Sequence, residues 1–274
     1  MTDKKTCVLS IAGSDSSAGA GIQADSKAIS ATGAYAATAI TMITAQNTLG
    51  VTEIFTLPIT IINAQIDAIF SDLSVKAVKI GMLYNRETMK AVQQRLEHWR
   101  ANNIVLDPVM VAQSGAPLID AAAIQTLKTL FPMAALITPN IPEANALLQE
   151  NITDIDAMCV AAQQLGKEYQ TNVLLKGGHL TVTPCTDIFF NQQNNTIVHF
   201  AKPRIITQNI HGTGCTLSSA IASFLAQGNT LETAIRRAKH YLNHAIQAAI
   251  DWQLGSGPGP VDHFSNLRNI HDDF

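Results

Sequence analysis

The stretch Cys7-Val-Leu-Ser-Ile-Ala-Gly-Ser-Asp-Ser-Ser-Ala-Gly-Ala-Gly-Ile-Gln-Ala-Asp25 decides the fold. It opens with an unbroken apolar run, Cys7–Ala12, which reads as a buried strand. Glycine and serine follow, and the chain then enters a helical pattern over Gly21–Thr32. A strand that passes through a glycine-rich turn into a helix is the unit of a parallel α/β sheet. The same alternation continues outward. Tyr35–Thr44 is compatible with a helix end or a strand, and its Ala, Thr and Ile content favours strand. Ile59, Ile62, Ile66, Ile69 and Phe70 fall at helical spacing within Pro58–Phe70. Lys76–Ile80 is a short strand. Asn85 caps a helix with the stripe Met89, Val92, Leu96 and Trp99. Strands are expected at Ile104–Leu106, Leu136–Thr138 and Val173–Leu175, with a helix over Asp154–Tyr169 between the last two. Asp187–Asn191 and Ile197–Ala201 read as a hairpin. Helices over Gly212–Ala226 and Leu231–Ile250 follow, and Gly255-Ser-Gly-Pro-Gly-Pro260 is a loop. No repeat or linker divides the chain, so one domain over residues 1–274 is expected.

Composition narrows the class. The 274 residues carry 18 Lys+Arg against 21 Asp+Glu, with 47% hydrophobic and 14% charged residues, which excludes a disordered chain. A net charge of −3 argues against a dedicated nucleic-acid binder. No apolar run approaches the roughly 18–20 residues that span a bilayer, so no membrane partner is expected. Asp3, Lys4 and Lys5 precede only a short apolar run, too short for a secretory signal, so a cytoplasmic protein is expected. The four cysteines, Cys7, Cys159, Cys185 and Cys215, form no C-x-x-C pair, so neither a zinc site nor a dithiol centre is suggested. His240 and His244 share a helix face without an evident third ligand, which suits a solvated face. Gly19-Ala-Gly21-Ile-Gln-Ala24 fits a dinucleotide fingerprint but fails its context. Six residues (13–18) separate it from the strand, and residues 41–47 hold no carboxylate where the ribose would need one.

In such sheets ligands bind beyond the carboxyl ends of the strands, so the polar residues there are the candidates. His211-Gly-Thr-Gly-Cys-Thr216 precedes a long helix rich in small residues. Gly212, Thr213 and Gly214 let backbone N–H groups converge at a helix N-terminus, which suits the oxygens of a transferring phosphoryl group. An ordinary glycine-rich turn is the alternative. Asn140-Ile-Pro-Glu143 offers an amide and a carboxylate for Mg²⁺ through its water shell, or simply a capped helix. Asp107, before Pro108, serves the same ion or a turn. Lys176, followed by two glycines, suits a triphosphate or an exposed strand end.

Together these segments resemble the ribokinase-like superfamily, in the branch of hydroxymethylpyrimidine/phosphomethylpyrimidine kinases of thiamine biosynthesis. The resemblance rests on eight segments in order: Ala12–Asp25, Ala45-Gln-Asn47, Lys79-Ile-Gly-Met82, Val105-Leu-Asp-Pro-Val109, Ile137–Glu143, Lys176-Gly-Gly-His179, His211–Thr216 and Gly259-Pro-Val-Asp-His263. It implies a three-layer α/β/α sandwich with a mainly parallel sheet and a small β-flap, here near Asn47–Phe55. It also implies a homodimer that uses ATP and Mg²⁺ to phosphorylate 4-amino-5-hydroxymethyl-2-methylpyrimidine and then its monophosphate. Asn140, Thr213 and Lys176 would serve ATP, and Asp107 and Glu143 the metal. For the pyrimidine, Gln46 offers a donor and an acceptor on one amide, matching an aminopyrimidine edge. Asp25 would orient the ring or its hydroxymethyl group, Gly13 would admit the ligand to the backbone, and Met82 and Val109 would wall the ring or serve as core. Sugar kinases of this fold place Asp where this branch has Cys215. A helix N-terminus lowers a thiol pKa, so Cys215 is expected as a thiolate base. A pyridoxal or pyridoxine kinase and a non-catalytic pyrimidine-binding sensor are the competing readings, with Gln46 favouring the aminopyrimidine.

Overall fold

Strands with both faces covered need apolar residues at successive positions. β1 (Cys7–Asp15) meets that condition, with eight of its nine residues buried. The computed structural model describes residues 5–110, 119–181 and 183–265; Asp3 and Lys4 of the polar N-terminus lie outside them. After β1 come α1 (Gly21–Ala31), β2 (Tyr35–Asn47), β3 (Gly50–Thr56), α2 (Ile59–Asp72), β4 (Val75–Ile80), α3 (Arg86–His98) and β5 (Ile104–Leu106). Then follow α4 (Ala121–Lys128), a 3₁₀ turn (Phe131–Met133), β6 (Leu136–Ile137), α5 (Ile141–Leu148), α6 (Ile155–Tyr169) and β7 (Asn172–Leu175). β8 (Cys185–Asn191), β9 (Thr196–Lys202), α7 (Thr213–Ala226) and α8 (Leu231–Ala248) complete the order.

One sheet of nine strands runs β3-β2-β1-β4-β5-β6-β7-β8-β9. The strands β2, β1 and β4 to β7 are parallel, and β3, β8 and β9 join antiparallel at the two edges. The chain leaves β1 to one side for β2 and returns to its other side for β4. That reversal opens a crevice beyond the carboxyl ends of β1 and β4.

Alternate residues of each strand feed opposite layers. Leu9, Ile11, Val78 and Ile80 meet Ile62, Ile66, Met89, Val92 and Leu96 on one face. Val8, Ala77, Val105 and Leu174 meet Ala28, Ile29, Leu217, Ile221 and Ile235 on the other. This is the expected ribokinase-like α/β/α sandwich. Tyr35–Asn47 is a strand, and its hairpin partner β3 forms the flap. α4, α5 and the 3₁₀ turn go beyond the elements expected from the apolar pattern; all three are too short to show a clear helical period. All four cysteines are free, with Cys7 in the core. Among the described residues no helix is long and apolar enough to cross a membrane.

Helix starts fall into two groups. Asn85, Asp120, Asn140, Asp154 and Thr230 each accept a backbone N–H of their own helix. α1, α2 and α7 start at Ala20, Pro58 and Gly212, with no side-chain cap. Of these, the starts of α1 and α7 lie at the carboxyl edge of the sheet, where orphan N–H groups are available to a ligand.

Candidate active site

Asp15, the last residue of β1, organises the first loop. Its carboxylate accepts from the backbone N–H of Ser17, Gly19 and Ala20, from Ser17 Oγ, and from His211 Nε2 at 2.9 Å. Burial pushes this carboxyl up, but the hydrogen bonds from His211, Ser17 and Ala20 prevail and hold it down at about 2. His211 thereby ties the α7 segment to the loop before α1. The two backbones touch: a Cβ on Gly212 would collide with the Gly19 carbonyl oxygen, and Gly212 takes φ +77°. Only glycine fits there, for space and for conformation.

The start of α7 comes down on a second ion pair. Lys176 Nζ lies 2.6 Å from Asp107 Oδ1, which also accepts from Thr138 Oγ1 at 2.8 Å. A Cβ on Gly214 would meet Asp107 Oδ2 and Lys176 Nζ at 3.4 Å each, so the helix backbone itself closes on the pair. Burial raises Asp107, yet Lys176 and Lys79 outweigh it and the net direction is down. Burial lowers Lys176, yet Asp107 and Glu143 outweigh it and the net direction is up. Both groups are therefore charged at neutral pH. Gly214 and Cys215 at the start of α7 thus stand beside Lys176 and Asp107.

Three expectations are corrected, at Asp25, Cys215 and Gly13. Asp25 does not face a ligand. It is fully buried and binds Lys79 Nζ through both oxygens at 2.8 Å, while Ser10 Oγ donates at 2.6 Å and Ser219 Oγ at 2.8 Å. A helix position one turn past the loop points inward here, because α1 lies against β1 and α7. Cys215 is not a preformed thiolate. Burial, with the nearby Asp25 and Asp107 carboxylates, pushes its thiol up to about 11, against the pull of Lys79 and the Gly21 amide.

Asn140 and Glu143 form a complete capping box: Asn140 Oδ1 accepts from Glu143 N at 2.8 Å, and Glu143 Oε2 accepts from Asn140 N at 2.7 Å. The helix cap and the phosphate-side location thus coincide, because the box adjoins Lys176, whose N–H donates to Pro139 O. Burial pushes the Glu143 carboxyl up to about 7, against the Lys176 charge. Gly13 is buried, and a Cβ there would meet Met42 Cε at 2.8 Å; a core side chain, not a ligand, accounts for that glycine. Met82 is buried at the carboxyl end of β4 with its carbonyl accepting from Thr41, and Val109 is half-buried beyond β5. Gln46, near the end of β2, lies 3.4 Å from His211 through its amide. His244 bonds Ser265 Oγ, and His240 is exposed, as a solvated face requires. Among the described residues no group of three His, Cys, Asp or Glu side chains stands ready for a metal.

Residues 15–262 match the phosphomethylpyrimidine kinase family. The chain belongs to this kinase family. It is 49% identical over 258 residues to the hydroxymethylpyrimidine/phosphomethylpyrimidine kinase of Rhizobium meliloti, covering 93% of this chain and 96% of that protein. It is 48% identical over 266 residues, 97% of this chain, to the thiamine biosynthesis bifunctional protein ThiED of Geobacter sulfurreducens, and spans 54% of that relative's length. Among solved structures it resembles the phosphomethylpyrimidine kinase of Clostridium difficile 630, with TM-score 0.78 and 40% identity over 88% of this chain and 100% of that one. It also resembles an ADP complex of Bacillus subtilis pyridoxal kinase, with TM-score 0.89 and 31% identity over 97% of this chain and 100% of that one. The higher TM-score goes with the lower identity, so the fold does not choose between the two substrates; side chains at the site must.

Three further side chains of this kinase family member matter at the site without a role assigned from the sequence. Asp15 and His211 lie inside the family motifs, and an acid at a strand end before a run of small residues signals a loop organiser. Lys79 lies in an apolar strand, where a charge needs a partner. Gly81 is the trace of that need: a Cβ there would stand 2.6 Å from the Lys79 ammonium.

Proposed function

We propose that this chain transfers a phosphoryl group from ATP to the hydroxymethyl oxygen of 4-amino-5-hydroxymethyl-2-methylpyrimidine, and then to the resulting monophosphate, in thiamine biosynthesis. The observation that carries the reading is the meeting of Gly214, Asp107 and Lys176 at the uncapped start of α7. Gly212 and Gly214 offer backbone N–H groups to the transferring group, the Thr213 N–H being held by Ile210 O at 3.2 Å, and Lys176 leaves Asp107 for the phosphates. Asn140 and Thr213 border the triphosphate. The bordering carboxylates suit Mg²⁺, a hard cation that is usually held by one or two carboxylates, waters and substrate phosphates. Asp107 would hold it, with Glu143 beside it as the outer carboxylate. The ion supplies neutralisation of phosphate charge.

Gln46 pairs with the aminopyrimidine edge, and Met82 and Val109 flank the ring. Cys215 receives the proton of the attacking hydroxyl as the new P–O bond forms. Its own thiol first gives its proton to solvent water, which reaches the half-buried side chain, and the buried Lys79 ammonium is the charge that favours this. The loose transition state of phosphoryl transfer asks for little base strength.

One nine-stranded sheet through the described residues supports a single kinase domain over residues 1–274. The exposed apolar side chains of the flap and its surroundings support a homodimer: Ile43 is 47% exposed, Leu49 72%, Phe55 65% and Ile61 51%. We place the enzyme in the cytoplasm, in line with the sequence-based expectation.

The deciding experiment measures ADP release from ATP and Mg²⁺ with hydroxymethylpyrimidine and, in parallel, with pyridoxal. Release with the pyrimidine at a higher kcat/KM supports the proposal. A preference for pyridoxal reassigns the substrate, and no release with either sinks the kinase reading.

A further inference from the structure

Gln46 is held on every side but one. Its backbone N–H donates to Ser16 Oγ at 2.8 Å, and the same hydroxyl donates back to its carbonyl at 2.7 Å. Its amide lies between two side chains: Thr44 Oγ1 is 3.1 Å from Oε1, and His211 Nε2 is 3.4 Å from Nε2. The roles of both neighbours follow from their other bonds. Thr44 has one hydroxyl proton, and the Ser14 carbonyl takes it at 2.8 Å, so Thr44 Oγ1 faces Gln46 as an acceptor. Asp15 stays ionised and can only accept, so His211 Nε2, 2.9 Å away, carries a hydrogen whether the ring is neutral or charged. His211 Nε2 thus has no lone pair for the Gln46 NH₂, and its N–H, given to Asp15, reaches the Gln46 amide only as the longer branch of a shared bond. An amide with its NH₂ toward Thr44 and its oxygen toward His211 satisfies both neighbours. The reverse orientation satisfies neither.

We infer that Thr44 and His211, the latter fixed by Asp15, lock the Gln46 amide in this one orientation and thereby set which ring substituent the site accepts. A primary amide has two N–H groups and two oxygen lone pairs. One of each points sideways into the lock. The other two point forward as a fixed edge, donor on the Thr44 side and acceptor on the His211 side. A 4-aminopyrimidine presents a ring nitrogen acceptor beside an amino donor and pairs with that edge. A 4-oxo ring presents a ring N–H beside an oxygen, the inverse pattern. It cannot turn over to compensate, because its hydroxymethyl group must remain at Cys215. The amide would have to rotate instead, and the lock opposes rotation. Thr44, His211 and Asp15 are thus positioning residues for specificity, acting through Gln46.

This inference rests on the aminopyrimidine reading above. The test compares kcat/KM for the 4-amino substrate and its 4-oxo analogue in the parent, Thr44→Val, Thr44→Ser and His211→Phe. The parent is expected to prefer the amino ring by about 100-fold, the size of one good bidentate pair. Thr44→Val frees the amide, and the preference shrinks about tenfold, mainly through KM. Thr44→Ser keeps the acceptor and the preference. His211→Phe repeats the loss from the other side. A preference unchanged in both Thr44→Val and His211→Phe, with rates falling in parallel for the two rings, overturns the lock while leaving the kinase reading intact. A parent that phosphorylates neither ring overturns the substrate reading and the lock with it.

Discussion

Two lysine–aspartate pairs lie at the carboxyl side of this sheet, and they differ in what surrounds them. Lys79 and Asp25 meet at 2.8 Å with both side chains fully buried. Lys176 and Asp107 meet at 2.6 Å, but the lysine side chain is 14% exposed. Asp25 has its remaining lone pairs filled by Ser10 and Ser219, and Gly81 leaves the ammonium its room. The second pair faces the start of α7, where backbone amides have no cap. The first is a finished network with no route to a ligand, and it holds α1, β1, β4 and α7 together. The second is a network with one side open. Charge alone does not mark a reactive group; the open side does.

Breaking the closed pair is expected to give the largest effect. Lys79→Met leaves a buried carboxylate without its cation and should cost about 3–5 kcal/mol in urea unfolding. Lys79→Met combined with Asp25→Asn should recover most of that loss. A single variant within about 1 kcal/mol of the parent would dissolve the contrast. Breaking the open pair should disturb the fold less, since Lys79 and Thr138 still favour the Asp107 carboxylate. Lys176→Met is expected to slow turnover by about 10²–10³-fold, the usual effect of one lost donor to a developing charge. Its unfolding midpoint should move far less than that of Lys79→Met.

Cys215 stands between the pairs. Cys215→Ala should lower kcat by about 10²-fold with KM nearly unchanged, and unchanged turnover removes it from the proton path. In the free chain, alkylation of Cys215 followed by peptide mass spectrometry should accelerate with pH until about 11, since burial keeps the thiol protonated below that. A plateau near pH 8 would mean the helix N-terminus wins after all. The smallest effect concerns Asp15. Its carboxyl drops from about 3.9 unfolded to about 2 folded. The stability it confers, about 2 kcal/mol, is complete above the unfolded value and is lost as pH falls through the folded one. Asp15→Asn should therefore flatten the acid limb of an unfolding curve between roughly pH 4 and pH 2.

Most of the strands and the polar residues that follow them are legible in the sequence; the order of the strands in the sheet is not. A short apolar run that stops at Gly, Asp, Asn or Lys suits a buried strand with a polar mouth and suits little else. Asp107, Lys176 and Gly214 stand out in that way, and they meet. The misplaced residues share one cause. Burial is a property of three dimensions, and the sequence shows only neighbours along one. Asp25 follows a glycine loop and so looks accessible, yet Ser219, 194 residues later, closes over it. Cys215 looks activated because the helix N-terminus is local and visible, while the desolvation opposing it comes from β1, β4 and β5. Gly13 looks like a ligand's doorway, but Met42 fills the space.

The contact between Gly19 and Gly212 carries a consequence for the order in which this protein is made. The ribosome delivers the first loop, Asp15 and Asp25 long before the segment that completes them. Lys79 arrives early enough to neutralise Asp25, but His211, Gly212 and Ser219 come only in the last quarter of the chain. Until then the first loop lacks the wall that Gly212 supplies, and Asp15 lacks its hydrogen bond from His211. The site's walls close only when the last quarter of the chain is in place.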